Sequence, residues 1–460
     1  MIYGGDGLVR LPADYAPTKS ETAKKRLTES RATHDFARGK AVFVPFVLAG
    51  EKIEVSIVEE KPGFIRAKAA AILEPSPQRV MPSCPYFGQC GGCHYQHIAY
   101  EQQLEIKKEI LRETLKRTAK IDLPFEIEVH ASPPWNYRNR SRLQVRTTPT
   151  FTAGYFKFAS HDLLAVEQCP ISSPLINRGI AALWQSGRGG NVPPGINEVE
   201  FFANADDTLL LVELSCGAEA RRAAVRAWAE DFLDAWPEMA GVVAFRQAKA
   251  LPAPGRIEPE KFLSVGTDHL IYQTQHADYR VSAGAFFQTN RFLTDELVKI
   301  VTQGQSGKLA FDLYAGVGLF STALACDFRH VVSVESSQTS STDLAYNLPP
   351  NGKVAQATAG RYLAQSPEGA WGGKGTVLPQ VAGEPDLAVV DPPRSGLGDS
   401  VARQLANSGA PRITYVSCDP ATLARDLVHL LTAGYRLEQV HLVDLFPQTY
   451  HLETVVQLVK

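Results

Sequence analysis

Residues 311–321 read Phe311-Asp-Leu-Tyr-Ala-Gly-Val-Gly-Leu-Phe-Ser321 and continue a short apolar run, Lys308–Leu313, of strand character. Gly316 and Gly318 let the backbone turn tightly and approach a ligand at a helix N-terminus. A Gly-x-Gly pair alone is often only a tight turn. Here the next apolar run, Val331–Glu335, ends in an acid about twenty residues on, where a carboxylate can bind both hydroxyls of a ribose. Ser321 stands where a dinucleotide fingerprint has its third glycine. The loop therefore suits S-adenosylmethionine, which has no phosphate to cradle, better than a dinucleotide.

Working outward, Leu387–Asp391, Ile413–Ser417 and Gln439–Leu445 are further strand candidates, with helices fitting between them. Short buried strands separated by helices predict an α/β fold, a doubly wound Rossmann-like parallel sheet, over residues 266–460. Residues 366–383 are Gly/Pro-rich and read as a surface loop. Residues 79–265 read as an α+β middle domain. It has a helix over Tyr100–Thr118 with Leu104, Leu111 and Leu115 on one face, strands at Glu198–Phe202, Leu209–Leu214 and Val242–Phe245, and a helix around Arg221–Ala235. Residues 1–78 read as a small β-barrel, from short alternating segments between Lys40 and Leu73 with a Pro62-Gly63 turn. A polar insertion at 13–37, containing Lys24, Lys25 and Arg26, interrupts it.

The length of 460 residues accommodates three domains of about 150 residues each. A formal net charge of −2 gives no global support for nucleic-acid binding, so a local surface has to supply it. Arg138, Arg140, Arg142 and Arg146 form an acid-free stretch beside Trp135 and Tyr137. That stretch is either a solvated strand face or a phosphate-contacting, base-stacking surface. No apolar stretch approaches the roughly 20 residues of a membrane span, and the first residues show no leader pattern. A cytoplasmic monomer without membrane contact is the expectation.

Three motifs end successive strand segments on the carboxyl side of the sheet, where ligands of such sheets bind: Asp391-Pro-Pro-Arg394, Ser417-Cys-Asp-Pro420 and His451-Leu-Glu453. Asp-Pro-Pro is close to the loop of amino-methyltransferases, but Arg394 replaces their aromatic residue. Cys418 points to different chemistry. Carbon 5 of uracil is a poor nucleophile. Addition of a thiolate to carbon 6 makes an enolate that attacks a methyl donor through carbon 5, and a base then removes the carbon-5 hydrogen so that the thiolate can leave. Cys418 and Glu453 supply the nucleophile and the base. His451 is the rival base, set aside on the expectation that it faces away from Glu453. A lone cysteine is as often a buried structural residue, and Cys216 and Cys326 read as such.

Cys84, Cys90 and Cys93, with Cys169-Pro170 much later, offer four thiolates. Such a set suits zinc or an iron–sulfur cluster. The isolated Cys169 and the neighbouring glycines favour a 4Fe-4S cluster. The spacing differs from that of radical enzymes, and a fourth cysteine closes the site, so the cluster reads as structural.

The set Phe286-Phe-Gln-Thr-Asn290, Asp312-Leu-Tyr-Ala-Gly-Val-Gly318, Asp391-Pro-Pro-Arg394, Ser417-Cys-Asp-Pro420 and His451-Leu-Glu453 resembles the RNA 5-methyluridine methyltransferase family in order and spacing. The resemblance implies that Gln288, Tyr314, Glu335 and Asp391 contact S-adenosylmethionine or the target base. It implies that Cys418 is the nucleophile, Glu453 the base, and Phe286 a neighbour of the flipped uracil. The cysteine set is similar to that of cluster-bearing members, most closely bacterial ribosomal ones, whose N-terminal TRAM barrel resembles residues 1–78. The resemblance thus implies 23S ribosomal RNA as substrate ahead of transfer RNA. One departure is that Val354-Ala-Gln-Ala-Thr-Ala-Gly360 lacks the acid that many members carry after the third strand. The rival readings are a non-catalytic RNA-binding protein with a degenerate methyltransferase domain and, more weakly, a zinc-dependent or radical enzyme.

Overall fold

The computed structural model describes residues 1–10, 25–26, 40–246, 259–364 and 383–460. The insertion expected at 13–37, apart from Lys25–Arg26, and the loop expected at 366–383, apart from Gly383, lie outside these residues.

The C-terminal half builds most of an eight-stranded sheet. In chain order its strands are β1 (Glu128–His130), β2 (Gly307–Leu313), β3 (Phe328–Glu335), β4 (Gly352–Gln356), β5 (Leu387–Val390), β6 (Arg412–Ser417), β7 (Arg436–Val443) and β8 (Glu453–Val459). Their spatial order is β4-β3-β2-β5-β6-β8-β7-β1. All four residues of β5, Leu-Ala-Val-Val, are buried, as a strand covered on both faces requires. One apolar core, with Leu313, Val334, Leu423 and Leu427, covers one face. A second, with Leu297, Val331, Phe320 and Val389, covers the other.

The parallel pairing expected from the sequence holds from β4 to β6. It fails at β8, which runs antiparallel to both β6 and β7. The reason is the short connection between β7 and β8, residues 444–452. A parallel return needs a crossover of a dozen or more residues.

The helix Tyr100–Thr114 and the single π turn Leu115–Ala119 that extends it pack Ile110, Leu111 and Leu115 into the first core. The chain then adds β1 to the edge of the sheet beside β7. Residues of the stretch read as a middle domain, 79–265, thus pack directly with the C-terminal half. The contact is anchored by Lys107, whose side chain and that of Asp444 are fully buried. Lys107 Nζ donates to Asp444 Oδ1 at 2.6 Å and to the Phe446 carbonyl at 3.0 Å. The Tyr100 hydroxyl donates to Asp444 Oδ2 at 3.0 Å.

The middle region forms a seven-stranded sheet between Arg140 and Gly266. Helices Pro174–Arg188 and Arg222–Asp234 cover one face, and Phe202, Leu211 and Val243 on the other join the second core. The N-terminal strands Asp6–Arg10, Lys25–Arg26, Ala41–Pro45, Lys52–Glu60 and Phe64–Glu74 make a five-stranded sheet around Val42, Val44, Val55 and Ile65. Cys216 is buried as expected. Cys326 is not a core residue. It is exposed near the end of helix Leu319–Asp327.

Removing one partner of a buried ion pair strands the other in a dry interior, at a cost of about 3–5 kcal/mol. Asp444→Ala is expected to lower unfolding free energy by that amount in a urea titration. Lys107→Met combined with Asp444→Leu should cost much less, because neither charge is left behind. Equal losses in the two variants would show that shape, not charge, holds the helix to the sheet.

Candidate active site

The carboxyl ends of β2, β3, β5 and β6 and the start of β8 share one rim. After β2 the chain passes through Tyr314, Gly316 and Gly318, all at positive φ (67°, 56° and 99°). Tyr314 pays a strain that a β-carbon normally avoids. A Cβ at Gly318 would lie 2.8 Å from the Leu344 side chain, whereas a Cβ at Gly316 would meet nothing within 4 Å. The backbone there faces open space. The Gly316 N–H donates to Glu335 Oε2 at 3.0 Å, and the N–H groups of Ser336 and Ser337 donate to Oε1 at 2.6 and 2.7 Å. The partly exposed Glu335 is thus held at the mouth of the loop.

Below the loop lies Asp312, fully buried. Its Oδ2 accepts from the Ser321 hydroxyl, which accepts from Ser333 at 2.8 Å. Its Oδ1 is buried without a partner. Burial pushes the Asp312 carboxyl up to about 7. Asp391, at the end of β5, is pushed up to about 7 by burial and then by Asp312. A buried carboxyl with an unpaired oxygen beside a half-buried one, the two resisting joint ionisation, fits a cationic ligand. A sulfonium that also carries an ammonium group is such a ligand.

Cys418 follows β6, and the next residue caps a helix. The Asp419 carboxylate accepts from the N–H groups of Ala421 and Thr422, each at 3.0 Å, with Pro420 in the first turn. This helix, Pro420–Thr432, also holds the Asp391–Arg394 loop. The Thr422 hydroxyl donates to the Arg394 carbonyl at 3.1 Å, and Arg425 Nη2 to the Ser395 carbonyl at 2.8 Å. The buried Asp426 accepts from the Leu397 N–H at 2.7 Å and the Tyr415 hydroxyl at 2.8 Å. None of these supports was singled out from the sequence. The Asp-Pro pair after Cys418 was the available sign of a helix start.

Glu453, the first residue of β8, is 5% exposed. Burial and then Asp391 hold its carboxyl well above the usual range, while Arg394 pulls it down. Burial pushes the Cys418 thiol up to about 12. Glu453 and Asp391 add to the rise, and Arg394 opposes it. The β6–β8 register sets Ser417 opposite Thr454, so Cys418 and Glu453 come to the same end of the sheet, and the exposed Arg394, not assigned a role beforehand, supplies positive charge that acts on both. Tyr3, also unforeseen, reaches in from the N-terminus to donate to the Cys418 carbonyl at 3.4 Å.

The expected separation of His451 from Glu453 by strand alternation does not hold. His451 precedes β8, and residues two apart in a strand would share a face. Protonation separates them instead. His451 is pushed down to about 3 by burial and by Arg394, whose Nη2 lies 3.4 Å from its Nδ1. A ring already facing a guanidinium is a poor proton acceptor.

Phe286 is 62% exposed and Gln288 is buried. Their loop is clamped from the middle sheet. Asn139 Nδ2 donates to the Gln288 carbonyl at 3.1 Å, Arg140 Nη1 to the Ala285 carbonyl at 2.6 Å, and the Gly284 N–H to Glu213 Oε2 at 3.0 Å. Arg140, expected on a phosphate-contacting surface, is largely turned away from solvent. Its side chain is 11% exposed and ion-paired with Glu200 and Glu213, and it stacks on Phe202 at 4.3 Å. Arg142 pairs with Glu200 but is 56% exposed. Arg138 donates Nε to the Arg140 carbonyl at 3.2 Å.

Cys84, Cys90, Cys93 and Cys169 line one cavity of about 190 Å³ with Arg138 and Arg142. Burial raises the Cys84 thiol, lifts Cys90 to about 11 and lifts Cys93 further, and Cys169 adds to each rise. Asn177, missed from the sequence, fixes the Cys169 turn. Its Oδ1 accepts from the Cys169 N–H at 2.8 Å, and its Nδ2 donates to the Cys169 carbonyl at 3.0 Å.

Comparison with known proteins shows the family. The model of the tRNA (Uracil-5-)-methyltransferase family matches residues 263–460. A protein of Aquifex aeolicus, named as an uncharacterized RNA methyltransferase, is 32% identical over 91% of this chain and 93% of its own. The 23S rRNA (uracil(1939)-C(5))-methyltransferase RlmD of Pseudomonas fluorescens is 31% identical over 96% of this chain and 95% of its own. The chain belongs to the RNA uracil-5 methyltransferase family. It is an S-adenosylmethionine-dependent enzyme that methylates carbon 5 of uracil in RNA. The crystal structure of the Pyrococcus abyssi tRNA (uracil-54, C5)-methyltransferase with S-adenosyl-L-homocysteine has the same fold. Its TM-score is 0.69 at 23% identity, over 92% of this chain and 96% of that one.

Only the thiolate reacts with an alkylating agent. With a thiol raised to about 12, iodoacetamide labelling of the Cys418 peptide is expected to keep accelerating beyond pH 9 in the free enzyme. Arg394→Met removes the charge that favours the thiolate and should slow labelling at every pH, with Arg394→Lys in between. A plateau near pH 8.5, or no effect of Arg394→Met, would contradict this electrostatic picture.

Proposed function

We propose that the enzyme methylates a uridine of 23S ribosomal RNA, with Cys418 as nucleophile and Glu453 as base. One observation carries the mechanism. The antiparallel β6–β8 register sets Ser417 opposite Thr454, which supports a reading of Cys418 and Glu453 as partners at one strand end, with Asp391 and Arg394 acting on both electrostatically. The choice of RNA is supported by likeness to RlmD, which spans nearly the whole of both chains.

The Cys418 thiolate, favoured by Arg394, adds to carbon 6 of the uracil, and the ring electrons pass to carbon 5 and the carbonyl. S-adenosylmethionine supplies the methyl group as an electrophile bound to a sulfonium. Glu453 then takes the hydrogen on carbon 5 as a proton, and the electrons left behind expel the thiolate. Glu453 has to be ionised for that step, and Arg394 is the group that opposes its burial. Tyr314, Gly316, Gly318, Glu335, Gln288 and Asp391 would hold the cofactor, Asp391 serving both cofactor and catalysis. Phe286, exposed on its clamped loop, would stack on the target base or a neighbour. Of the arginine stretch, Arg138, Arg142 and the exposed Arg146 would be left to meet phosphate.

We further read the four cysteines as ligands of a structural 4Fe-4S cluster. Around one tetrahedral zinc at about 2.3 Å, sulfurs would sit about 3.8 Å apart. Among the described residues, the His, Cys, Asp or Glu set whose ligand atoms all lie within 4.8 Å of one another is Glu128, His130 and His441, not the cysteines. The wider spread suits a four-iron core. The five-stranded N-terminal sheet is read as the remainder of a TRAM-like barrel, and the enzyme as a cytoplasmic monomer. No described helix is long and apolar enough to cross a membrane.

The roles of the two catalytic groups separate in time. Cys418→Ala should give neither 5-methyluridine nor a covalent species. Glu453→Gln should still add and methylate but stall before elimination. Methyl label from S-adenosylmethionine would then migrate with a protein–RNA adduct on a denaturing gel. Supplying unmethylated 23S ribosomal RNA and transfer RNA in parallel tests the substrate, and label confined to transfer RNA would overturn the ribosomal reading. Methylation by Cys418→Ala would overturn the nucleophilic mechanism.

A further inference from the structure

The catalytic chemistry makes no use of a second convergence of donors, on the edge of the sheet where β1 pairs with β7. The register sets Glu128 beside His441 and His130 beside Val443. His130 Nε2 lies 3.1 Å from His441 Nδ1, and Glu128 Oε2 lies 3.4 Å from the same Nδ1. His441 is buried, its side chain 7% exposed, while the Glu128 side chain is 62% exposed. One ligand atom from each of the three lies within 4.8 Å of the others.

The outer nitrogens decide what belongs between these groups. His130 Nδ1 faces Glu296 Oε1 at 3.0 Å, and His441 Nε2 faces Gln439 Oε1 at 3.2 Å. Both partners are acceptors, so each neutral ring carries its proton on the outer nitrogen. The two inner nitrogens then present lone pairs to each other and to a carboxylate. Three acceptors cannot stabilise one another without a cation at the centre. An imidazole whose second nitrogen donates to a carboxylate or carbonyl oxygen is also how proteins fix a metal-binding tautomer.

We propose that Glu128, His130 and His441 bind a divalent transition-metal ion of the zinc type, with Glu296 and Gln439 orienting the two imidazoles. Mixed imidazole and carboxylate donors suit zinc. Tetrahedral ligands about 2.0–2.1 Å from zinc stand about 3.3–3.4 Å apart, against the 3.1 and 3.4 Å found here. The Glu128 side chain is 62% exposed, so water could supply a fourth ligand. The ion would fasten β1, only three residues long, to β7. The His130 carbonyl also accepts the Asp444 N–H at 2.9 Å, and Asp444 begins the connection that leads to Glu453. The site therefore braces the hairpin that delivers the base, at a distance from the cysteine cavity.

The test uses the full-length, iron-loaded enzyme, so that the cysteines are already occupied, and zinc alone as the probe. After equilibrium dialysis, wild type should hold about one zinc per chain more than His130→Ala or Glu128→Gln. Glu296→Gln should bind roughly 10–100-fold more weakly, as loss of an orienting partner does. Zinc should raise the melting temperature of wild type in a saturable way and leave that of Glu128→Gln unchanged. The Glu128 side chain is exposed, so that variant folds. Equal zinc content in wild type and Glu128→Gln would overturn the proposal. So would a wild type whose melting temperature ignores zinc but falls, in chelator, as pH rises above 7, because a proton would then occupy the site.

Discussion

The catalytic pocket depends on the antiparallel insertion of β8 between β6 and β7. Its register sets Thr454 opposite Ser417 and Glu453 opposite Val443. The beginning of the last strand thus lies beside the end of the strand that carries Cys418. Had β8 run parallel to β6, Glu453 would open at the far rim of the sheet, a strand length away. Cys418 and Glu453, 35 positions apart in sequence, come to the same end of the sheet because one short connection forces the chain to turn back.

What the pocket then requires is charge compensation. Burial raises Asp312, Asp391 and Glu453, Asp312 adds to the rise at Asp391 and Asp391 to that at Glu453, and the Cys418 thiol rises with them. Arg394 opposes the rise at Glu453 and Cys418, and a cationic ligand would relieve the rise at Asp312 and Asp391.

The parts of this arrangement legible in the sequence are those written in local pattern. The loop from Phe311 to Ser321, the acid ending β3 and the three strand-end motifs lie within a few residues of the strands that place them. The parts that were not legible rest on distant contacts. Arg140 stands among arginines and reads as part of a basic surface, but Glu200 and Glu213 on neighbouring strands of the middle sheet consume it. The helix Tyr100–Thr114 was recognised by its period, yet only the fold shows that Lys107 meets Asp444, 337 positions away. Cys326 reads as apolar on a helix and turns out to face solvent. Strand direction in β8 follows from the length of its connection, which the alternating pattern of strands and helices obscured.

The central claim is that Cys418 bonds to the uracil before the methyl group moves. RNA in which the target uridine carries fluorine at carbon 5 tests it most directly, because Glu453 cannot remove fluorine as it removes a proton. Incubated with enzyme and S-adenosylmethionine, digested and analysed by mass spectrometry, the peptide containing Cys418 is expected to carry a methylated fluorouridine nucleotide. Recovery of that peptide unmodified, with the nucleotide on another residue or methylated and free, would contradict the account.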